Sequence, residues 1–235
     1  MIQQGDFVKL HYTGKLSDDA VFDTTNAEVA KRAGLDATKA PGPMTICVGQ
    51  GMLLRGLDEI LIGKQAKESF TITIPAGKAF GKKDPKLLKI IPLNQLHAQE
   101  INPVPGLRLN IDGHYGVVRS VASGRVVVDF NHPLASQDVT YDVELLGLVE
   151  GLKEQVIALI TPLGVPFEAV EVAEDKVTIK VPQIYPQPVM DAVSDRVTRL
   201  TNVSSVSFEQ GKAPENADKT DKNSHEDPHK GHKQA

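Results

Sequence analysis

The segment from Asp138 to Val149, DVTYDVELLGLV, constrains the fold more than any other part of the chain. Apolar and polar residues alternate along it, which is the pattern of a β-strand with one buried face. Such a strand needs a sheet whose other strands come from elsewhere in the chain. Its expected partners are the first strands, so residues 84–133 would form a domain inserted within another domain.

Short strands dominate the residues before this insertion. The sequence predicts a hairpin whose strands, Phe7–Tyr12 and Ala20–Asp23, flank a turn at Ser17–Asp19. Residues 26–38 show a partial helical stripe that Pro41 ends. Further expected elements are a strand over 44–48, a helix over 53–62 and a strand over 69–75. The pattern is that of an α+β fold, rich in strands, with one short helix.

Two smaller units follow. The insertion is expected to be mostly β, with strands over Leu107–Ile111, Tyr115–Val121 and Arg125–Phe130. Residues 151–210 read as α-β-β-α-β, which predicts helices on one face of an antiparallel sheet. Residues 211–235 contain no Val, Ile, Leu, Met or aromatic residue and cannot bury a core, so we expect a disordered tail.

The composition limits the cellular compartments and the binding partners that the sequence favours. The charges nearly balance, with 26 Lys plus Arg against 30 Asp plus Glu, so no broad field favours nucleic acid or membrane lipid. The only cysteine, Cys47, excludes an intramolecular disulfide framework. No apolar run approaches the ~18 residues of a membrane helix, and the first residues lack a signal pattern. We therefore expect a soluble cytoplasmic protein.

Familiar catalytic constellations are missing from the sequence. The glycine-rich stretches Gly49–Gly51 and Gly77–Gly81 lack the Lys-Ser/Thr pair of a phosphate loop. Cys47 sits within a strand, where a buried thiol is the commoner meaning. Neither Asp18-Asp19 nor Asp58-Glu59 is arranged like a hydrolytic carboxylate pair. We predict no cofactor and no metal centre.

Three motifs in fixed order carry a family resemblance. Val8–Asp23 (VKLHYTGKLSDDAVFD), Val48–Asp58 (VGQGMLLRGLD) and Ile74–Gly81 (IPAGKAFG) resemble the FKBP-type peptidyl-prolyl isomerases. The insertion, which ends in Asn131–Ala135 (NHPLA), is similar to the insert-in-flap chaperone domain of SlyD-type and archaeal long-type members. The resemblance implies an antiparallel β-sheet wrapped on a short helix. Its implied domains are an isomerase domain (1–83 and 134–149), a chaperone domain (84–133) and a C-terminal α+β domain (151–210).

The resemblance also implies a proline-binding pocket. It assigns catalytic roles to Tyr12, Asp23, Phe80 and Tyr141, and substrate binding to Phe22, Met44, Ile46, Leu53, Leu54 and Leu57. By the same analogy the Leu54 N–H holds a substrate carbonyl. Prolyl isomerisation breaks no covalent bond and must only lower a barrier of ~20 kcal/mol set by amide resonance, so it needs no nucleophile, metal or nucleotide. A hydrogen bond from Tyr12 to Asp23 is expected, because a carboxylate in the pocket needs a partner.

Two positions depart from the family pattern. Leu57 occupies the pocket floor where many members have Trp, and Phe80 replaces a Tyr and removes a hydroxyl donor. We expect looser binding of FKBP ligands and weaker catalysis on short peptides. A different class of function therefore remains open, namely a holdase or adaptor that kept the fold without useful catalysis.

The insertion is rich in apolar residues for its size, and by resemblance it binds unfolded or partly folded polypeptides. The expected chaperone surface comprises Leu87, Leu88, Ile90, Ile91, Leu96 and Ile101. The other interpretation is that these side chains pack the core of the insertion. Substrate held there would raise the local concentration of proline at the pocket.

The functions of two regions are left open by the sequence. SlyD-type tails often bind metal, but this tail offers only His225, His229 and His232, with Pro228 interrupting any helix that would align them. We favour a solvated tail, with a weak nickel or zinc site as the alternative. The exposed faces of residues 151–210 could mediate homodimerisation or client contact.

Overall fold

The structure is a computed structural model and describes residues 1–211. The strands of this range are β1 (Phe7–Lys15), β2 (Val21–Thr24), β3 (Met44–Cys47), β4 (Ser69–Ile74), β5 (Leu88–Pro92), β6 (Arg108–Ile111), β7 (His114–Ala122), β8 (Arg125–Asp129), β9 (Val139–Leu148), β10 (Ala169–Ala173), β11 (Lys176–Val181) and β12 (Ser205–Gln210). The helices are α1 (Ala27–Arg32), α2 (Arg55–Leu61), α3 (Leu93–His97), α4 (Leu152–Ile160) and α5 (Gln187–Leu200). The mixture of several sheets with few helices confirms the α+β class.

The first sheet joins the two ends of the chain segment 1–149. Its order is β2-β1-β9-β4, and β3 also pairs with β1. All these pairs are antiparallel, and Tyr12 of β1 lies opposite Val143 of β9. The prediction that the Asp138–Val149 segment pairs with the first strand is confirmed.

Helix α2 packs closely on this sheet. Leu57 and Leu61, one helical turn apart, are both fully buried in the same hydrophobic core as Ile74 of β4. A Cβ at Gly56 would lie 2.5 Å from Ile74 Cγ2, closer than van der Waals contact allows. Glycine at this position therefore brings the helix near the sheet, and Leu57 fills the space between them.

The predicted helix over residues 26–38 is shorter than expected. Asn26 caps α1 by accepting hydrogen bonds from the Glu28 and Val29 N–H groups. Gly34 then adopts a left-handed conformation with φ +71°, which ends the helix. Only a single 3₁₀ turn, Ala37–Lys39, follows it.

The second sheet is built from residues between β4 and β9. Its order is β5-β8-β7-β6, and all its pairs are antiparallel. It has its own core, formed by Leu96, Leu109, Val118, Val126 and Val128. The sequence pattern does not predict β5 or α3, because Pro85 and Pro92 read as chain breakers. Pro92 is tolerated because β5 is an edge strand.

Hydrogen bonds tie together the two chain segments that connect the first and second sheets. The Asp84 N–H donates to Asn131 Oδ1 at 2.7 Å, and Asn131 Nδ2 donates to the Asp84 carbonyl at 3.1 Å. The buried Asp129 carboxylate accepts hydrogen bonds from Asn131 and from Arg119, and Lys83 Nζ lies 3.5 Å away. The segments entering and leaving the second sheet are therefore held side by side.

The third sheet corrects a topology expectation. Its order is β10-β11-β12, and β10 pairs antiparallel with β11 as expected. β12, however, runs parallel to β11. The 14-residue helix α5 connects the two strands and returns the chain to its starting edge, so β12 must run in the same direction as β11. The prediction of a wholly antiparallel sheet was wrong for this reason.

Helix α4 packs against β3 of the first sheet. Phe7, Cys47, Val149 and Leu159 form a small buried cluster at this contact. Within residues 1–211, no helix has the length and apolar character needed to cross a membrane.

Candidate functional site

A cavity of about 330 Å³ opens beside α2 on the first sheet. Its lining combines aromatic and aliphatic side chains with one carboxylate: Tyr12, Asp23, Met44, Gly51, Met52, Leu53, Leu54, Leu57, Phe80 and Tyr141. Eight of the ten residues expected to form the proline pocket meet here, although the chain separates the first from the last by nearly 130 residues. We call this cavity the aromatic pocket.

Edge-to-face contacts fix the aromatic wall. The ring centroids of Tyr12 and Tyr141 are 5.6 Å apart with planes at 61°. Phe22 meets Phe80 at 5.8 Å and 76°, and Tyr141 at 5.9 Å and 88°. Such pairs contribute about 0.5–1.5 kcal/mol each beyond their buried area. The wall is therefore held in one geometry before any ligand arrives.

Phe22 and Ile46 do not line the cavity itself. Phe22 supports Phe80 and Tyr141 from behind, and it can do so because Gly14 of β1 has no side chain. A Cβ at Gly14 would lie 2.7 Å from Phe22 Cζ. Ile46 is completely buried in the core of the first sheet, so it cannot contact a ligand in this conformation. Ile46 was expected to bind substrate, but in this structure it only packs within the core.

Tyr12 and Asp23 form the polar edge of the pocket. The Tyr12 hydroxyl donates to Asp23 Oδ2 at 2.9 Å, and Asp23 is otherwise exposed. Burial, together with the Asp23 charge and this hydrogen bond, raises the pKa of Tyr12. Burial and the Asp23 charge also raise the pKa of Tyr141. Both hydroxyls consequently remain protonated across the physiological range.

A buried carboxylate of α2 holds the loop that precedes this helix. Asp58, only 6% exposed, accepts hydrogen bonds from the Gly49 N–H at 2.8 Å and the Gly51 N–H at 3.0 Å. This anchor positions Gly51 and the neighbouring Met52, two lining residues that the family motif did not single out. No backbone carbonyl of residues 1–211 accepts a hydrogen bond from the Leu54 N–H. That donor is thus available at the N-terminal end of α2.

His132 is a neighbour of the pocket that sequence reasoning missed. Its ring stacks on Phe80 with centroids 4.5 Å apart and planes at 3°. The two residues are 52 positions apart, and the second sheet lies between them in the chain. His132 was visible only as part of the NHPLA exit motif, which gives no indication of its contact. It links the end of the second sheet to the pocket wall.

The sequence offers one thiol and three tail histidines as further candidates for chemistry. Cys47 is fully buried, and burial raises the pKa of its thiol. In the part of the chain that the structure describes, no cluster of His, Cys, Asp and Glu is placed to hold a metal ion. His225, His229 and His232 lie outside the described residues.

A cavity of about 470 Å³ elsewhere on the first sheet has a different character. His11, Asp142 and Glu144 contribute polar or charged groups to its lining, and Tyr12, Phe70 and Val143 contribute its apolar part. An uncharged proline ring gains less from such a lining than from the aromatic pocket. The aromatic pocket is therefore the candidate site.

The second sheet exposes part of its apolar content. Leu87, Leu88 and Ile90 are 40%, 44% and 65% exposed, and Tyr115 is 77% exposed. Two cavities of about 500 and 240 Å³ adjoin this surface and share Phe130. We call Leu87, Leu88, Ile90 and Tyr115 the apolar surface of the second sheet.

Other residues expected on that surface lie deeper. Ile91 and Ile101 are half-buried and pack against the core of the second sheet. Leu96 borders the smaller cavity but is only 1% exposed. The expectation that Leu96 belongs to an exposed surface was wrong, because α3 turns this side chain into the core. Tyr115, which the sequence did not single out, is the most exposed member.

Comparisons with known proteins agree with this geometry. The family described as FKBP26, IF domain, matches residues 89–134. A short-type peptidyl-prolyl cis-trans isomerase of Methanocaldococcus jannaschii is 31% identical over 146 residues, which cover 62% of this chain and 92% of the relative. A probable FKBP-type 16 kDa peptidyl-prolyl cis-trans isomerase of Pseudomonas fluorescens is 34% identical over 115 residues, covering 48% of this chain and 77% of the relative.

A third relative is likewise named as an isomerase. The FKBP-type peptidyl-prolyl cis-trans isomerase SlyD of Yersinia pestis is 30% identical over 125 residues, which cover 52% of this chain and 64% of that protein. Identity at this level over nearly the whole of the archaeal relative, together with the lining of the aromatic pocket, establishes the family. The chain belongs to the FKBP-type peptidyl-prolyl cis-trans isomerases.

Proposed function

We propose that this protein accelerates cis-trans isomerisation of Xaa-Pro bonds in folding polypeptides of the cytoplasm, with the proline ring bound in the aromatic pocket. The observation that carries the proposal is the enclosure of one small cavity by Tyr12, Phe80, Tyr141 and Leu57. Its volume of about 330 Å³ suits a proline ring with its adjoining peptide bonds. A single buried cysteine fits a reducing compartment.

Rate acceleration follows from the polarity of this pocket. The planar amide is stabilised by charge-separated resonance, whereas the twisted amide of the transition state has lost that resonance. An apolar wall solvates the charge-separated form poorly and so favours the twisted form. The Leu54 N–H would hold a substrate carbonyl, while Tyr12 and Phe80 flank the carbonyl that rotates. Each tenfold in rate requires only about 1.4 kcal/mol of preferential binding to the twisted state.

We assign the polypeptide-binding role to residues 84–133. Large apolar side chains exposed together on so small a unit mark a binding site, and the apolar surface of the second sheet provides several. A polypeptide bound there stays near the aromatic pocket, which raises the effective concentration of its prolines. The hydrogen bonds of Asp84, Asp129 and Asn131 would keep the two sites at a defined separation.

A catalytically weak holdase or adaptor is the alternative function. Leu57 at the floor of the pocket, fully buried, supports it, because leucine offers a smaller contact face than tryptophan. Binding metal through the tail histidines is a separate possibility, and nickel or zinc titration of the intact and tail-truncated proteins would test it. Homodimerisation through residues 151–210 would appear in sedimentation velocity.

An exchange measurement tests the main proposal. Magnetisation exchange between the cis and trans forms of an Xaa-Pro peptide reports the rate directly, and no acceleration over the uncatalysed rate would leave only the holdase. We expect Asp23→Asn to lower kcat/KM about fivefold, because the acceptor of the Tyr12 hydroxyl loses its charge. Asp19→Asn is the matched control, since Asp19 lies in an exposed turn at φ 62°, which asparagine also tolerates.

A further inference from the structure

A second apolar cavity shares a wall with the aromatic pocket. It has a volume of about 450 Å³ and lies where α4 faces β3 and the loop before that strand. Met44 and Met52 line both cavities, and Pro43, Ile157, Ala158 and Thr161 belong to the second one alone. We call this second cavity the α4 groove.

The chemistry of the α4 groove favours a neutral, apolar occupant. Its single carboxylate, Glu154, is already engaged: Oε1 accepts hydrogen bonds from Lys9 Nζ at 2.9 Å and from Thr45 Oγ1 at 2.8 Å. Hydrogen bonds from Lys9 and Thr45 hold the pKa of Glu154 below its usual range. The hydroxyls of Thr45 and Thr161 are also engaged, because they donate to Glu154 Oε1 and to the Ile157 carbonyl. The remaining walls are proline, methionine, isoleucine and alanine side chains.

The shared methionines indicate where an occupant comes from. Because Met44 and Met52 line both cavities, a polypeptide that leaves the aromatic pocket on their side reaches the α4 groove next. Methionine side chains are flexible and polarisable, so they adapt to apolar groups of different shape on either side. A side chain close to the proline therefore meets the α4 groove directly.

We propose that the α4 groove receives an apolar side chain flanking the proline of the substrate polypeptide, so that residues 151–210 take part in substrate selection. This inference rests on the proposed isomerase function. It assigns α4 a direct role in binding, which extends the site beyond the segment 1–149. The substrates selected are Xaa-Pro sequences with an aliphatic or aromatic neighbour.

A peptide series separates this inference from the proposed function. Xaa-Pro peptides carry either glycine or leucine at each position flanking the proline, on both sides. Partial burial of one leucine predicts a kcat/KM about tenfold higher than with glycine at one of these positions. Acceleration of all peptides at equal rates would overturn the inference alone. No acceleration of any peptide would remove the isomerase function on which it rests.

A charge at the groove rim tests the assignment to α4. Thr161 is exposed at the C-terminal end of α4, so Thr161→Glu is expected to fold. We expect the leucine-to-glycine rate ratio to fall towards one, because an apolar side chain no longer finds an apolar site. Ala192→Glu, on an exposed position of α5, adds the same charge elsewhere and keeps the ratio. An unchanged ratio in Thr161→Glu would contradict the proposal.

A spectroscopic readout is independent of catalysis. The chain contains no tryptophan, so Thr161→Trp introduces a single fluorescent reporter at the groove. The leucine peptide should shift its emission to shorter wavelength, and the glycine peptide should not. Absence of a shift with saturating leucine peptide would overturn the inference. Dissociation of a dimer by Thr161→Glu, with the rate ratio unchanged, would instead show that two copies of the chain meet at this groove.

Discussion

The aromatic pocket and the apolar surface of the second sheet use hydrophobic side chains in opposite ways. In the pocket, Tyr141 is almost fully buried and three edge-to-face pairs fix the rings. On the second sheet, Ile90 and Tyr115 remain largely exposed, and no such ring pair immobilises Tyr115 within residues 1–211. A rigid concave wall can distinguish one shape, whereas an exposed surface can accept many sequences. The two regions therefore suit catalysis and loose polypeptide binding, respectively.

The largest expected effect comes from removing part of the rigid wall of the aromatic pocket. Phe80→Ala removes one wall of the pocket together with its contacts to Phe22 and His132, and we expect kcat/KM on a short peptide to fall about a hundredfold. The exchange assay measures it. Phe167→Ala, which truncates a half-buried aromatic residue packed in the C-terminal core, is the control and should leave kcat/KM unchanged. A similar loss in both variants would mean that the effect is general destabilisation.

The hydrogen-bonded junction between the two regions, formed by Asp84, Asp129 and Asn131, makes a contribution to stability that depends on pH. Burial would raise the pKa of Asp129, but hydrogen bonds from Asn131 and Arg119 and the charge of Lys83 outweigh it and lower the pKa to about 2. The stabilisation is therefore fully present above the unfolded pKa of about 3.9 and is lost as the pH falls through about 2. It amounts to roughly 2–3 kcal/mol of unfolding free energy.

Asp129→Asn should reduce stability at neutral pH by about that amount and flatten the dependence between pH 4 and pH 2. Urea unfolding at a series of pH values measures both. Asp112→Asn is the control, because Asp112 lies in an exposed turn at φ 51°. Equal pH profiles for Asp129→Asn and the parent protein would contradict the role of the junction.

A smaller effect is expected when the apolar surface of the second sheet is altered. The double substitution of Leu88→Glu and Ile90→Glu places two charges on the apolar surface of the second sheet. We expect catalysed refolding of a proline-limited protein to slow about tenfold, with less than a twofold change on a short peptide. Asn94→Glu with Asn102→Glu adds the same charge at exposed polar positions. If that control slowed refolding equally, charge rather than lost apolar contact would be responsible.

The smallest expected effect concerns the contact that joins the two regions. His132→Ala removes the ring stacked on Phe80, and such a pair contributes about 0.5–1.5 kcal/mol. We expect a loss of about threefold in kcat/KM, with partial recovery in His132→Phe. Recovery by phenylalanine would assign the effect to stacking. No recovery would point to the imidazole itself.

The sequence predicted local structure well where one pattern dominates. Alternation over Asp138–Val149 identified β9, and the motif around Leu53–Leu57 located the loop and helix at the pocket. β5 was missed because proline at an edge strand reads as a chain breaker. The direction of β12 depends on the crossover through α5, which no local pattern records. The stack of His132 on Phe80 joins residues separated by a whole sheet and arises only from tertiary packing.

The central position of β9 sets the order in which the molecule can assemble. β9 lies between β1 and β4, so the sheet that bears the aromatic pocket cannot be completed until residue 148 has left the ribosome. The second sheet pairs strands from residues 88–129 only, so all its contacts are available earlier. Shorter loops close at lower entropic cost. The second sheet, with its exposed apolar surface, is therefore ready to fold before the sheet that bears the aromatic pocket has received its last strand.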